Sequence, residues 1–378
     1  MSRNLKILIV TILTAGLAFG FGHHLTPHSS ATGFERLHIF LFNLCGGSTV
    51  LLLFSEGRRH LSLTTGLFFF LAVGFTLAAT FEFYTIAMLL PLPLALLVEY
   101  IRTQTFGRLW PAALFSGQET AAAKFHQAAL LCLSLSLVFS SFVIANNSYF
   151  HLFSLEKFAL NTFFLAFSFP LSLITMAVIF SRVEQNASST GRFQTEICFW
   201  GVNLGVIVFF LFILAHQYIP QLLCALLLFF IVLLICYLYV RLGSKTQEKT
   251  FLGSGLLFLL ITSVSGISYI LLKFSTTLTP ETLYPLLRLH AFTALYGWNL
   301  SGLAVICRRG DFPITLHSGK VIILHWLTVV ILCPLGYFFA PVAVVAVVCY
   351  VILLFHLFLN RGVIDTDLGD SLHTLPHR

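Results

Sequence analysis

Long apolar runs with short polar breaks dominate the chain. Each run is about 20 residues, enough to cross a hydrocarbon core roughly 30 Å thick as a helix. The pattern predicts twelve spans, at 5–23, 36–55, 62–80, 82–101, 124–145, 158–181, 195–216, 219–241, 251–273, 287–307, 319–338 and 341–360. The short alternating strands of an outer-membrane barrel are not what these runs resemble. The first run, MSRNLKILIVTILTAGLAFGFG, begins basic like a signal peptide. Its apolar stretch is long for that role and completes an even set of spans, so it is read as a helix.

Composition agrees. The chain is 58 % apolar and 9 % charged, with a mean hydropathy of +0.94. No soluble fold of 378 residues buries that much apolar surface, so the solvent is a lipid bilayer. The expected fold class is an all-α polytopic membrane protein, one transmembrane domain over residues 1–378. Placing the N-terminus inside puts 17 of the 21 Lys and Arg residues on the cytoplasmic side, as the positive-inside rule requires. Both termini then face the cytoplasm, and the expected location is the inner (cytoplasmic) membrane. The net charge of +7 follows from this topology and does not imply nucleic acid. The eight cysteines lie within or at the edges of spans with no CxxC pair, and read as small core residues.

Four basic residues remain outside: Arg36, Lys157, Lys273 and Arg288. Three of them precede the second, sixth and tenth spans, whose entrances read ERLHIFLFNLCGG, EKFALNTFFLAFS and LLRLHAFTALYGW. Spacing by four spans predicts three pseudo-symmetric blocks of four helices, over about 1–115, 116–245 and 246–378. The middle copy has Ala159 where the others have histidine, with Asn161 two residues on.

The repeat sets His38 and His290 at one depth on parallel helices, as a bis-histidine haem requires. Arg36 and Arg288, two residues earlier, lie nearer water, where they would pair with haem propionates. Gly46, Gly47 and Gly297, one to two turns below, would leave room for a flat macrocycle. Each feature also has an ordinary explanation. Histidines near helix ends sit among headgroups, arginines snorkel, and glycines pack helices.

FERLHIFLFNLCGGS and RLHAFTALYGWN resemble the second and tenth helices of the haem–copper oxidase catalytic subunit, in its cbb3-type and nitric-oxide-reductase branch. The resemblance covers topology along the chain and residues in these two helices. It implies a b-type haem on His38, with Gly297, Trp298 and Asn299 matching the family's Gly-Trp-Asn. By that spacing His290 aligns with the family's high-spin haem ligand, and the low-spin partner falls at Phe292. A bis-histidine site therefore needs His290 to have taken the partner's role. The sixth span lacks the family's copper histidine, and ICFWGVNLGVIVFFLFIL in the seventh lacks its adjacent pair, so no copper centre is expected. The resemblance implies electron transfer with a cytochrome or quinol partner, or a response to nitric oxide or oxygen. NnrS-like proteins of nitric-oxide metabolism are a competing match.

Other residues carry lesser expectations. His325 and His356 lie at similar depth on the last two spans and would meet as a metal site, a second haem site or a proton relay. His126 is a weaker candidate of the same kind. HHLTPH (His23, His24, His28) would bind a metal transiently or sit as an exposed loop, and Glu82 would pair with Arg36 or Arg288. Pro91, Pro93, Pro170 and Pro334 predict kinks. A secondary transporter without cofactor, or an assembly subunit that lost its cofactors, also fits twelve spans. Nothing resembles a hydrolytic motif.

Overall fold

The computed structural model describes residues 1–25, 31–107, 109–152, 165–244, 248–274, 280–309, 311 and 318–360. Among them, all regular structure is helical. The helices are numbered here in chain order. α1 is Arg3–Gly20. α2 runs Ala31–Ile39, then a π-helical stretch Phe40–Ser48, then Thr49–Ser55. α3 is Leu63–Thr80, α4 joins Tyr84–Leu89 to Pro91–Phe106, and α5 is Ala121–Ala145 with a π-helical end at Asn146–Phe150. α6 is Phe169–Val183, α7 Ser189–Leu214, α8 Tyr218–Leu242 and α9 Glu248–Phe274. α10 runs Pro280–Phe292, π-helical Thr293–Asn299 and Leu300–Arg308. α11 runs Gly319–Trp326, π-helical Leu327–Leu332 and Cys333–Phe338, and α12 is Ala340–Phe358.

Ten of these helices are long and apolar enough to cross a membrane, which makes the chain a polytopic helical membrane protein. The exceptions are α6 and α10, two of the three that carry the repeat. The described part of α6 has 15 residues. The start of its expected span, with Lys157, Ala159 and Asn161, lies outside the described residues, as do His28, Arg108, Lys245, Arg361 and Arg378. α10 is helical throughout its three segments, but Arg288, His290, Asn299 and Ser301 dilute its apolarity.

Most consecutive helices pack side by side, α6 and α7 instead each packing on α5 and α8, and α1 closes against α12. α2 is the most enclosed, with 78 % of its most apolar stretch buried against 33 % in α1. Prolines start helical segments more than they bend them. Pro91, Pro170 and Pro334 each stand in a first turn, where a missing N–H costs nothing. All eight cysteines are free thiols.

Basic residues at the end of the bundle that holds Arg3 are drawn inward. Arg102 binds Glu99 at 2.6 Å, Lys124 binds Glu196 at 2.7 Å, and Lys6 pairs with Asp311. Arg308 reaches Asp311 at 3.0 Å and donates to the carbonyls of Leu357 and Asn360, closing the C-terminal end of α12. The deepest pair joins Arg182 at the end of α6 to Glu248 at the start of α9, at 2.7 Å, with Glu248 wholly buried. A buried carboxylate stripped of its partner costs more than the pair contributes. Arg182→Leu is therefore expected to cost about 3–5 kcal/mol of unfolding free energy. The double variant Arg182→Leu/Glu248→Leu should recover most of that loss, as measured by unfolding in detergent micelles.

Candidate functional site

Two helix pairs are built to one plan. His38 ends the first segment of α2, and its Nδ1 lies 3.0 Å from the carbonyl oxygen of Gly16 on α1. His290 lies in α10, and its Nδ1 lies 2.8 Å from the carbonyl oxygen of Thr262 on α9. One turn further along each supporting helix stands a glycine against the ring. A methyl group on Gly20 would come within 2.8 Å of His38 Nδ1, and one on Gly266 within 3.2 Å of the His290 ring. The acceptor and the glycine are four residues apart in both cases. The π-helical stretch begins shortly after each histidine, at Phe40 and at Thr293.

A carbonyl oxygen only accepts, so the hydrogen of each neutral ring is on Nδ1. Nε2 then carries the lone pair, and it has no hydrogen-bond partner among the described residues. This is the posture of a ligating histidine, whose second nitrogen is held by a backbone carbonyl that fixes the tautomer.

Tyr296, in the π-helical stretch of α10, joins the two ends of this region. Its hydroxyl oxygen lies 2.8 Å from His38 Nδ1 and shares the hydrogen that points at Gly16. Its backbone carbonyl accepts from His325 Nε2 at 2.7 Å. A π turn frees carbonyls for such partners. The Tyr296 ring is fully buried, edge-on to Phe42 and Tyr350 at 4.9 and 5.2 Å.

The arginines are held by protein groups. Arg36 is buried, donates to the carbonyl of Ala79 at 2.8 Å and reaches Glu82 at 3.4 Å. Glu82 takes a left-handed backbone, φ 61°, at the turn between α3 and α4. Arg288 stacks 4.0 Å over the Tyr337 ring and donates to its hydroxyl at 2.7 Å. It also faces Glu35 at 3.8 Å. Glu35 precedes Arg36, so the two RLH stretches meet through this pair.

The glycines below the histidines do not form a cradle. A methyl on Gly46 would meet Leu13 at 2.9 Å, one on Gly297 would meet Phe258 at 2.5 Å, and Gly47 is covered by Leu171. Their missing side chains admit neighbouring helices. Trp298 is buried and donates from Nε1 to Ser172 on α6 at 2.7 Å, holding two helices together.

His325 and His356 are not brought together. His325 is wholly buried between the rings of Phe251 and Phe258. His356 is exposed and bonds the carbonyl of Ile352 on its own helix. Equal depth does not give equal facing, because each residue turns the helix by about 100°. His126 bonds the Ser55 hydroxyl at 2.7 Å. His23 and His24 bond the carbonyls of Tyr337 and Gly336, which pins the loop after α1 to α11. Among the described residues, no three His, Cys, Asp or Glu side chains gather as a metal-binding group.

The sequence reading missed Gly20, Gly266, Tyr296 and Glu35. A glycine near the end of the helix before each RLH stretch was the available signal. The carbonyl acceptors had none, since every residue carries one. No protein-family model, curated protein or solved structure matches the chain.

The two glycines give a graded expectation. Gly20→Ala, with the closer approach, should displace His38 and cost about 1–3 kcal/mol of stability by overpacking. Gly266→Ala should cost less, since its contact at 3.2 Å needs a smaller shift. Thermal unfolding of the two variants in the same detergent checks the order.

Proposed function

We propose that the chain is a twelve-span protein of the cytoplasmic membrane, with both termini inside, that binds a b-type haem through His38 and His290. On this reading it is related to the haem–copper oxidase catalytic subunit or to NnrS-like proteins. Its role is electron transfer with a cytochrome or quinol partner, or a response to nitric oxide or oxygen. One observation carries the reading: both imidazoles have Nδ1 engaged by a carbonyl of the preceding helix and Nε2 without a partner among the described residues. That donor set fits axial ligation, and the carbonyl bond raises the basicity of the ligating nitrogen.

Bound there, a haem supplies one-electron redox chemistry. The chain's own residues do the rest. Gly16 and Thr262 orient the rings, and the Phe42, Phe292 and Tyr350 rings around Tyr296 exclude water. Arg288, whose carboxylate partner stands at 3.8 Å, is the guanidinium most readily given to a propionate. With His38 and His290 both committed to the group, the role would be electron transfer, and gas binding would need one histidine to be released.

A second reading rests on the glycines. Packing of Leu13, Leu171 and Phe258 onto Gly46, Gly47 and Gly297 suits a bundle without a macrocycle, whether carrier or assembly subunit.

Reduced-minus-oxidised visible spectra of the purified protein decide between them. The expected result is sharp b-type bands, lost in His38→Ala and in His290→Ala. Folded protein made with ample haem and showing no bands would retire the haem reading. Given the bands, Tyr296→Phe should raise the midpoint potential, because His38 loses an acceptor for its N–H and becomes a weaker donor to oxidised iron. A shift of up to about tenfold in the oxidation equilibrium, roughly 59 mV for one electron, is expected in a redox titration.

A further inference from the structure

At the end of the bundle opposite Arg3, the ends of α7, α8 and α9 form a partly open cavity of about 150 Å³. It is several times the roughly 30 Å³ share of one water. It is smaller than the roughly 300 Å³ at which small-molecule pockets begin, so it suits a compact polar group.

Its walls are rich in donors and, among the described residues, hold no carboxylate. His216, Tyr218, Gln221, Tyr269 and Lys273 line it with isoleucines. The Lys273 ammonium lies 5.7 Å from the ring centre of Tyr218 and 5.9 Å from that of Tyr269, and cation–π attraction holds it in place. Lys6 and Lys124 each have an acidic partner, but Lys273 has none among the described residues. The side chains of His216, Gln221 and both tyrosines likewise have no hydrogen-bond partner among them. His216 stands at φ 54° in the two-residue turn before the N-cap, a left-handed backbone rarely held by a side-chain-bearing residue. α8 begins at Tyr218 while α7 and α9 end here, so one helix N-terminus is set against two C-termini and the positive charge of the site is that of Lys273.

We propose that this cavity is a phosphate-binding site. Tyrosine and lysine at a helix end mark the depth of lipid headgroups, so the phosphate of an anionic phospholipid is the favoured source and free phosphate the other. The cationic ammonium and the neutral donors match a phosphate oxyanion in charge and hydrogen-bonding character. The site uses neither His38 nor His290 and does not depend on haem.

The test is retention of phosphatidylglycerol after the full-length protein is passed through nanodiscs of mixed phosphatidylglycerol and phosphatidylcholine, read by native mass spectrometry. Wild type should retain phosphatidylglycerol. Lys273→Gln should lower the retained amount by about tenfold, as loss of a charge-assisted contact does, and Lys273→Arg should keep it. Inorganic phosphate is then titrated into delipidated protein and followed by phosphorus NMR. Saturable, Lys273-dependent phosphate binding without lipid retention would assign the site to free phosphate. Equal lipid retention in wild type and Lys273→Gln, with no saturable phosphate binding, would overturn the proposal. Lys273 is exposed, so the variant folds, and an unchanged melting temperature verifies it.

Discussion

Inside a bilayer, a polar group finds its partner within the protein or pays the full cost of desolvation. The bonds from His38 to Gly16 and from His290 to Thr262 answer that demand in the least usual way, by borrowing a carbonyl from another helix. Such a bond forms only where helices lie close, and Gly20 and Gly266 permit the approach. Much of this end of the bundle follows from it. The rings are fixed, Tyr296 closes over His38, and the first segments of α2 and α10 are tied by Glu35 and Arg288.

The other end of the bundle obeys the same constraint with different chemistry. There, charges meet charges: Arg182 with Glu248, Lys124 with Glu196, Arg308 with Asp311. A pair with a buried member contributes less to stability than to register, because each charge accepts few alternatives. Basic residues that read as scattered loop charges are, in several cases, the pins between helices.

The helical membrane class was legible in composition and run length, which report burial averaged over many residues. α10 shows where averaging fails. Its polar residues drop it below the apolarity of a typical span, yet it is helical from Pro280 to Arg308 and buried over its inner half. The repeated RLH stretches stand at two similarly built positions, each histidine on a carbonyl of the preceding helix. Their supports were illegible, since a backbone carbonyl has no signature and a glycine does not say which neighbour it admits. Gly46, Gly47 and Gly297 were read as space for a ligand, and the structure fills them with Leu13, Leu171 and Phe258. His325 and His356 were matched by depth, but rotation about the helix axis separates a buried ring from an exposed one.

The π-helical stretches of α2, α10 and α11 have a mechanical consequence. A wide turn has poorer hydrogen-bond geometry than the α-helix around it, so it yields first when a helix is pulled or twisted. With Phe40–Ser48, Thr293–Asn299 and Leu327–Leu332 in three helices of one bundle, the molecule carries a compliant band between its two ends. A side chain turning at the end that holds His38 would load that band before it loads the paired charges at the opposite end.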